Sequence, residues 1–479
     1  MRASFLLLLC LAALVACGDP APLTDAGPPL DAGADAGAPL PPCDVPALLV
    51  AGTPETDALA DAPARCGAPA YSWLRSPRLG EVVSRTRVAA FTARSLTTAI
   101  GAAGLTLGRP FEHDVAIDTL VYMTQDRGAL VQASTALVYP VHLSERRALP
   151  TLLFEHGTSG WTTGCGPTRD TNWRLLSAAL ASLGYVVVSP DFLGNESAGD
   201  AYGAPPPYLV GEATALASLD AARAGLRALA DLRITTCGTT DLLVYGASQG
   251  GHAALFLDRY APYYAREFAL RGVVAAVPAS DFLAHTERAL TAPVPATDFI
   301  AAFLATASHW YGDGARLDEV FVPPLDAQIP ALLTTACDPS FPPNDPLTSE
   351  FQPALLAAAS AGTFADLEPW GCITREASPR QSSTPRLGPS DPSYGILFIT
   401  GESDTLLVPT IERPSYDALC AAGLPLEYLE CQGAAHADGA LWSIPETLDF
   451  FDARLAGVPF ASACARPAAS RCRGTPAAP

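Results

Sequence analysis

The chain contains no lysine, so all 29 of its basic residues are arginines. Against them stand 49 aspartates and glutamates, a formal net charge of −20. So acidic a surface does not suit nucleic acid or anionic lipid headgroups as partners, because both recruit cationic side chains. The lack of lysine itself is a matter of composition and carries no mechanism. No two cysteines have C-x-x-C spacing and no two histidines stand four residues apart, which removes the common sequence signatures of a zinc site. No metal is therefore expected. The N-terminal apolar run from Phe5 to Ala16 is too short to cross a bilayer.

What is present at the N-terminus is an export signal. Residues 1–17 combine Arg2, the apolar run and the sequence Leu14-Val15-Ala16-Cys17, which resembles a bacterial lipobox. That resemblance implies cleavage before Cys17, lipid attachment to it and anchoring at a membrane of the cell envelope. A plain signal peptide cleaved nearby is the alternative, and it yields a secreted protein. Residues 18–42 are mostly Pro, Ala, Gly and Asp, with Asp-Ala-Gly at Asp25, Asp31 and Asp35, a composition that reads as a disordered tether. Ten of the twelve cysteines follow: Cys43, Cys66, Cys165, Cys237, Cys337, Cys372, Cys420, Cys431, Cys464 and Cys472. Their even number in an exported chain predicts disulfides. Cys43 with Cys66 and Cys337 with Cys372 are reasonable local pairs, although connectivity cannot be read from sequence.

The remaining chain of about 435 residues is long enough for one large domain with an insertion. A helix is expected around Val82 to Ile100. Asp114–Thr124 and Ala129–Tyr139 flank Gln125-Asp126-Arg127-Gly128, a hairpin turn. Short continuous apolar runs follow at Thr151–Phe154, Tyr185–Ser189, Leu242–Tyr245, Val273–Val277, Ile396–Thr400 and Leu426–Leu429. Such runs, without polar alternation, suit parallel strands covered on both faces. Helical periodicity lies between them at Trp173–Leu183, Thr214–Leu229 and Ala253–Phe268. The pattern predicts an α/β fold with a mostly parallel central sheet and an antiparallel start. It divides into an N-terminal core part at 43–281, a helical cap insertion at 282–393, a C-terminal core part at 394–460 and a tail at 461–479. The cap's Phe299, Phe303, Trp310, Tyr311 and Trp370 read mostly as its own packing, with a few available to line an acyl pocket.

The stretch Leu242 to His252 is strand, sharp turn and helix around Gly246-Ala247-Ser248-Gln249-Gly250, the pattern of a nucleophile elbow. A serine hydroxyl needs a base, and the base needs an acid to orient it. Asp404 follows the run Ile396–Thr400, and His436 follows the run Leu426–Leu429, in a loop before a helix at about Pro445–Leu455. The order Ser248, Asp404, His436 at strand ends is that of α/β-hydrolases. Glu402 and Asp438 compete as the acid. His156 and His252 compete as the base, and both read as structural, as does Asp191. Backbone N–H groups of Gln249 and Thr158 are the expected oxyanion donors, with Gly157 the alternative to Thr158.

These residues, together with Thr124-Gln125-Asp126-Arg127-Gly128, Glu155-His156-Gly157-Thr158, Cys165-Gly166-Pro167, Ser189-Pro190-Asp191-Phe192-Leu193-Gly194 and Pro207-Tyr208-Leu209-Val210-Gly211, resemble the secretory lipase-like α/β-hydrolases over about Asp114 to Phe460. The resemblance implies a carboxylic ester hydrolase whose cap precedes the acid-bearing strand. Ser248, His436 and Asp404 are then the catalytic residues, no cofactor is needed, and the partner is a small-molecule or lipid ester. The acyl length stays open, because the cap is the least recognisable region. A serine peptidase or acyltransferase with the same residues, or a surface lipoprotein that binds without catalysis, are the alternatives.

Overall fold

The computed structural model describes residues 40–49 and 65–476. The expected export signal, Cys17 and nearly all of the expected 18–42 tether lie outside the described residues. Among the described residues no helix is long and apolar enough to cross a membrane.

Val82–Phe91 (β1), Val115–Asp126 (β2), Ala129–Pro140 (β3), Arg147–Glu155 (β4), Val186–Pro190 (β5), Thr236–Ala247 (β6), Ala269–Ala276 (β7), Gly395–Gly401 (β8) and Leu426–Cys431 (β9) form one sheet. Its order is β1-β2-β3-β5-β4-β6-β7-β8-β9. The first three strands are antiparallel, β3 meets β5 antiparallel, and the six strands from β5 to β9 are parallel neighbours. The β2–β3 turn is a two-residue loop, since Asp126 pairs with Ala129. Arg127 (φ 46°) and Gly128 (φ 75°) both take positive φ, the twist-matched geometry of a tight hairpin.

The continuous apolar runs are explained by burial on both faces. Leu242 and Val244 join one core while Leu243 and Tyr245 join another across the sheet. The first core takes in helices Gly211–Leu232 and Gln249–Tyr264; the second takes in Ala93–Ala102, Thr171–Ser182 and Ile444–Leu455. Between β7 and β8 the chain forms five α-helices: Phe282–Thr291, Thr297–Tyr311, Leu325–Leu332, Pro353–Ser360 and Trp370–Glu376. Phe303, Trp310, Tyr311 and Trp370 are buried in the first core, whereas Phe299 is only half-buried, against Trp161.

Two expectations are corrected. The helix expected over Val82 to Ile100 is a strand to Phe91 and a helix only from Ala93, capped by Thr92 Oγ1. Most of this edge strand is exposed on both faces, so it carries no apolar alternation to betray it; Arg85 and Arg87 instead reach across to Asp118 of β2. All ten cysteines form disulfides, but neither local pair forms. The bonds are Cys43–Cys237, Cys66–Cys372, Cys165–Cys337, Cys420–Cys464 and Cys431–Cys472. Three of them close separations of 172 to 306 residues, because partners are chosen by Cα proximity in the fold and not along the chain.

Candidate active site

Ser248 stands between β6 and the helix Gln249–Tyr264, with φ 59° and ψ −116°. A non-glycine residue held there costs about 1–3 kcal/mol, which the surroundings must offset. They do so by hydrogen bonding: the Ser248 N–H donates to the Ala276 carbonyl and the His252 N–H to the Ser248 carbonyl, both at 3.0 Å. The turn also demands bare backbone on either side. A Cβ on Gly246 would lie 1.9 Å from the Gly250 oxygen, and one on Gly250 would lie 1.9 Å from the Glu155 oxygen.

Asp404 and His436 enter from β8 and β9. His436 Nε2 lies 2.8 Å from Ser248 Oγ, and His436 Nδ1 lies 2.7 Å from Asp404 Oδ2. A carboxylate only accepts, so Nδ1 carries the proton and Nε2 offers its lone pair to the serine hydroxyl. The aspartate, 4% exposed, is held by the N–H groups of Leu406 and Leu407 on Oδ1 at 2.8 and 3.0 Å. The competing carboxylates are engaged elsewhere. Glu402 accepts from the Gly433 N–H (2.8 Å), and Asp438 accepts from the Ala435 N–H (3.3 Å). His436 is not in an open loop as expected, but opens the short helix His436–Trp442.

The other wall of the site is the loop after β4. Gly157 passes directly by the serine: a Cβ there would sit 3.6 Å from Ser248 Cβ and 3.5 Å from the Ala247 oxygen. Gln249 is the first residue of its helix, so its N–H has no intrahelical acceptor. Thr158, the next residue after Gly157, has its Oγ1 2.7 Å from the Tyr208 hydroxyl. Further along, Asn195 Nδ2 donates to the carbonyls of Gly160 (3.0 Å) and Thr162 (3.1 Å), and Cys165–Cys337 ties the loop to the helical insertion.

The remaining candidates are buried. Desolvation pushes the imidazoles of His156 and His252 down to about 4, so both are neutral near pH 7. His156 Nδ1 donates to the Gly157 carbonyl (2.7 Å), and His252 Nε2 to the Ala377 carbonyl (2.6 Å). Burial pushes Asp191 up to about 6; it accepts from Ser134 of β3 and from Thr168 and Ser197 of two loops, tying the three segments to the end of β5. Glu155, whose backbone oxygen abuts Gly250, is pushed by burial up to about 8. Among the described residues no group of three or more His, Cys, Asp or Glu side chains is arranged to hold a metal ion.

Three contributors were given no role from the sequence. Tyr208 and Asn195 grip the loop after β4, and Arg288 of the helix Phe282–Thr291 donates to the carbonyls of Thr405 (3.0 Å) and Leu406 (3.1 Å), beside Asp404. Tyr208 lies within a quoted family motif, so a signal existed for it. Nothing local marks Asn195 or Arg288.

The secretory lipase family model matches residues 168–313. No curated protein matches the chain. Among solved structures, the chain is similar to the rice cell wall degrading esterase LipA from Xanthomonas oryzae. The identity is 18%, with 79% of this chain and 97% of that one covered and a TM-score of 0.61. A putative hydrolase from Legionella pneumophila is similar at 20% identity, covering 78% and 98%, with a TM-score of 0.64. Candida antarctica lipase A in its closed state is similar at 16% identity, covering 82% and 86%, with a TM-score of 0.58. At such identities the likeness speaks to the fold, which is that of the α/β-hydrolases. The similarity to secretory lipases in sequence is that of the matched segment, residues 168–313.

Proposed function

We propose that the protein hydrolyses carboxylic esters through an acyl-enzyme. Ser248 attacks the carbonyl while His436 takes its proton, and Asp404 orients His436 and stabilises the imidazolium. The N–H groups of Gln249 and Thr158 receive the charge that develops on the carbonyl oxygen. His436 then protonates the departing alkoxide and activates the water that releases the acid. The observation that carries this reading is the unbroken chain from Ser248 Oγ through both nitrogens of His436 to Asp404, at 2.8 and 2.7 Å. The strained elbow supports it further. The secretory lipase match and the esterase and lipase named among the similar structures support ester hydrolysis over the peptidase, acyltransferase and non-catalytic alternatives.

In this reading residues 282–393 form a cap beside the site, between core parts at 43–281 and 394–460. The five disulfides support an exported protein. Cys17 is its lipid attachment point, with 18–42 as the tether that holds the enzyme off the membrane. Hydrolysis of p-nitrophenyl esters from acetyl to palmitoyl by the wild type and by Ser248→Ala tests the mechanism. The wild type is expected to be active and the variant to lose all but residual turnover; equal rates for the two would refute it. Intact-mass analysis of the mature N-terminus tests the anchor: an unacylated Cys17 rejects it.

A further inference from the structure

Taking the proposed ester hydrolysis as its basis, we propose that the side-chain hydroxyl of Thr158 is a third oxyanion donor, oriented by the hydroxyl of Tyr208. The two oxygens are 2.7 Å apart, and by distance alone either could donate. Burial decides which does. Tyr208 is 5% exposed, and Thr158 is the hydrogen-bond partner of its hydroxyl among the described residues. A Tyr208 that accepted would leave its own buried O–H without an acceptor, a penalised arrangement. Tyr208 therefore donates, and the Thr158 proton is left to point elsewhere.

Thr158 is half-buried rather than sealed, so that proton has somewhere to go. Its neighbour Gly157 lies against Ser248 Cβ and the Ala247 carbonyl, which sets this stretch at the nucleophile. Within one threonine the backbone nitrogen and Oγ1 are only three bonds apart. An oxyanion that receives the Thr158 N–H is thus within reach of the Thr158 O–H in a suitable rotamer. Tyr208 selects that rotamer by occupying one lone pair of Oγ1, and it does so before substrate arrives, which is the condition for electrostatic preorganisation. Tyr208 is held in turn: its ring packs edge-on against Trp161 with centroids 5.7 Å apart. No bond is made or broken in this role; the hydroxyl donates a hydrogen bond to the tetrahedral intermediate and keeps its proton.

The test compares Thr158→Val, Thr158→Ser, Tyr208→Phe and the double variant Thr158→Val/Tyr208→Phe in the full chain. Each is assayed for kcat and KM on a p-nitrophenyl ester, for binding of an alkyl boronic acid that mimics the tetrahedral state, and for thermal midpoint. Valine keeps the shape and the backbone N–H, so kcat is expected to fall about 10- to 100-fold, short of the 10²- to 10³-fold measured for a primary oxyanion donor. KM should change little, and boronate affinity should fall in parallel with kcat. Serine should recover most of the loss. Tyr208→Phe should lower kcat by a smaller factor and add nothing in the Thr158→Val background, because the pair acts as one unit. A Thr158→Val enzyme with wild-type kcat and boronate affinity overturns the proposal, as does a loss that serine does not recover. Failure of the underlying ester-hydrolase reading looks different: wild type and Ser248→Ala would then be alike.

Discussion

Replacing Glu155 with glutamine is expected to stabilise the protein at alkaline pH and to leave it nearly unchanged near pH 4. The carboxyl group is fully buried at the end of β4. One oxygen accepts from Ser218 Oγ at 3.0 Å, and the other has no hydrogen-bond partner among the described residues. Burial penalises the charged form and pushes its pKa from 4.5 up to about 8. Between these two values the unfolded chain has released the proton while the folded chain retains it. Folding then takes up a proton, so stability falls as pH rises through the interval. Each pH unit corresponds to about 1.4 kcal/mol, and the interval to at most about 5 kcal/mol. Glutamine keeps the acceptor for Ser218 and does not titrate, so the variant lacks this slope. Asp191, pushed up to about 6, and Glu350, pushed up to about 7, slope in the same direction but are common to both proteins. Denaturant unfolding of the oxidised proteins at pH 5 to 9 gives the difference directly. It should grow with pH up to about 8 and then level off. A constant difference across this range would show that Glu155 ionises normally and that the burial argument is wrong.

The carboxylate assignment separates by mutation: Asp404→Asn should cost about 10⁴ in kcat by upsetting the His436 tautomer, whereas Glu402→Gln and Asp438→Asn should stay within severalfold of wild type in the same ester assay. Gly250→Ala should fail to give soluble, active protein, since its Cβ would lie 1.9 Å from the Glu155 oxygen; a variant with a normal thermal midpoint would contradict the geometry of the elbow. Removing Cys165–Cys337 by a double serine substitution should lower stability by about 2–4 kcal/mol and reduce kcat through the loop it holds, both read against Cys420→Ser/Cys464→Ser, whose bridge lies away from Ser248.

Much of the architecture was legible because it is written locally. A strand buried on both faces is a continuous apolar run, and each of the six runs named from the sequence overlaps one of the strands β4 to β9. The hairpin was legible from Arg127-Gly128, and the elbow from two glycines flanking Ala247-Ser248-Gln249. Where local pattern and environment part company, the reading failed. The strand Val82–Phe91 is exposed on an edge and shows no apolar face, so it passed for a helix. The disulfides failed for the opposite reason, since nothing near a cysteine encodes a partner 194 or 306 residues away.

The candidate site divides along the same line. Chain order and strand-end positions were enough to single out Ser248, Asp404 and His436, because an elbow, a post-strand aspartate and a post-strand histidine are each local features. That they can meet depends on β6, β7, β8 and β9 being consecutive in the sheet, which brings their ends to one edge. Where the two neighbouring carboxylates point is a tertiary matter: Asp404 lies on His436, whereas Glu402 accepts from the Gly433 N–H. The same holds for Tyr208 on Thr158, Asn195 on Gly160 and Arg288 beside Asp404. Residue type and periodicity name the reactive groups and the strands that carry them. Which groups touch, and how tightly the surrounding loops are held, follows only once distant segments pack.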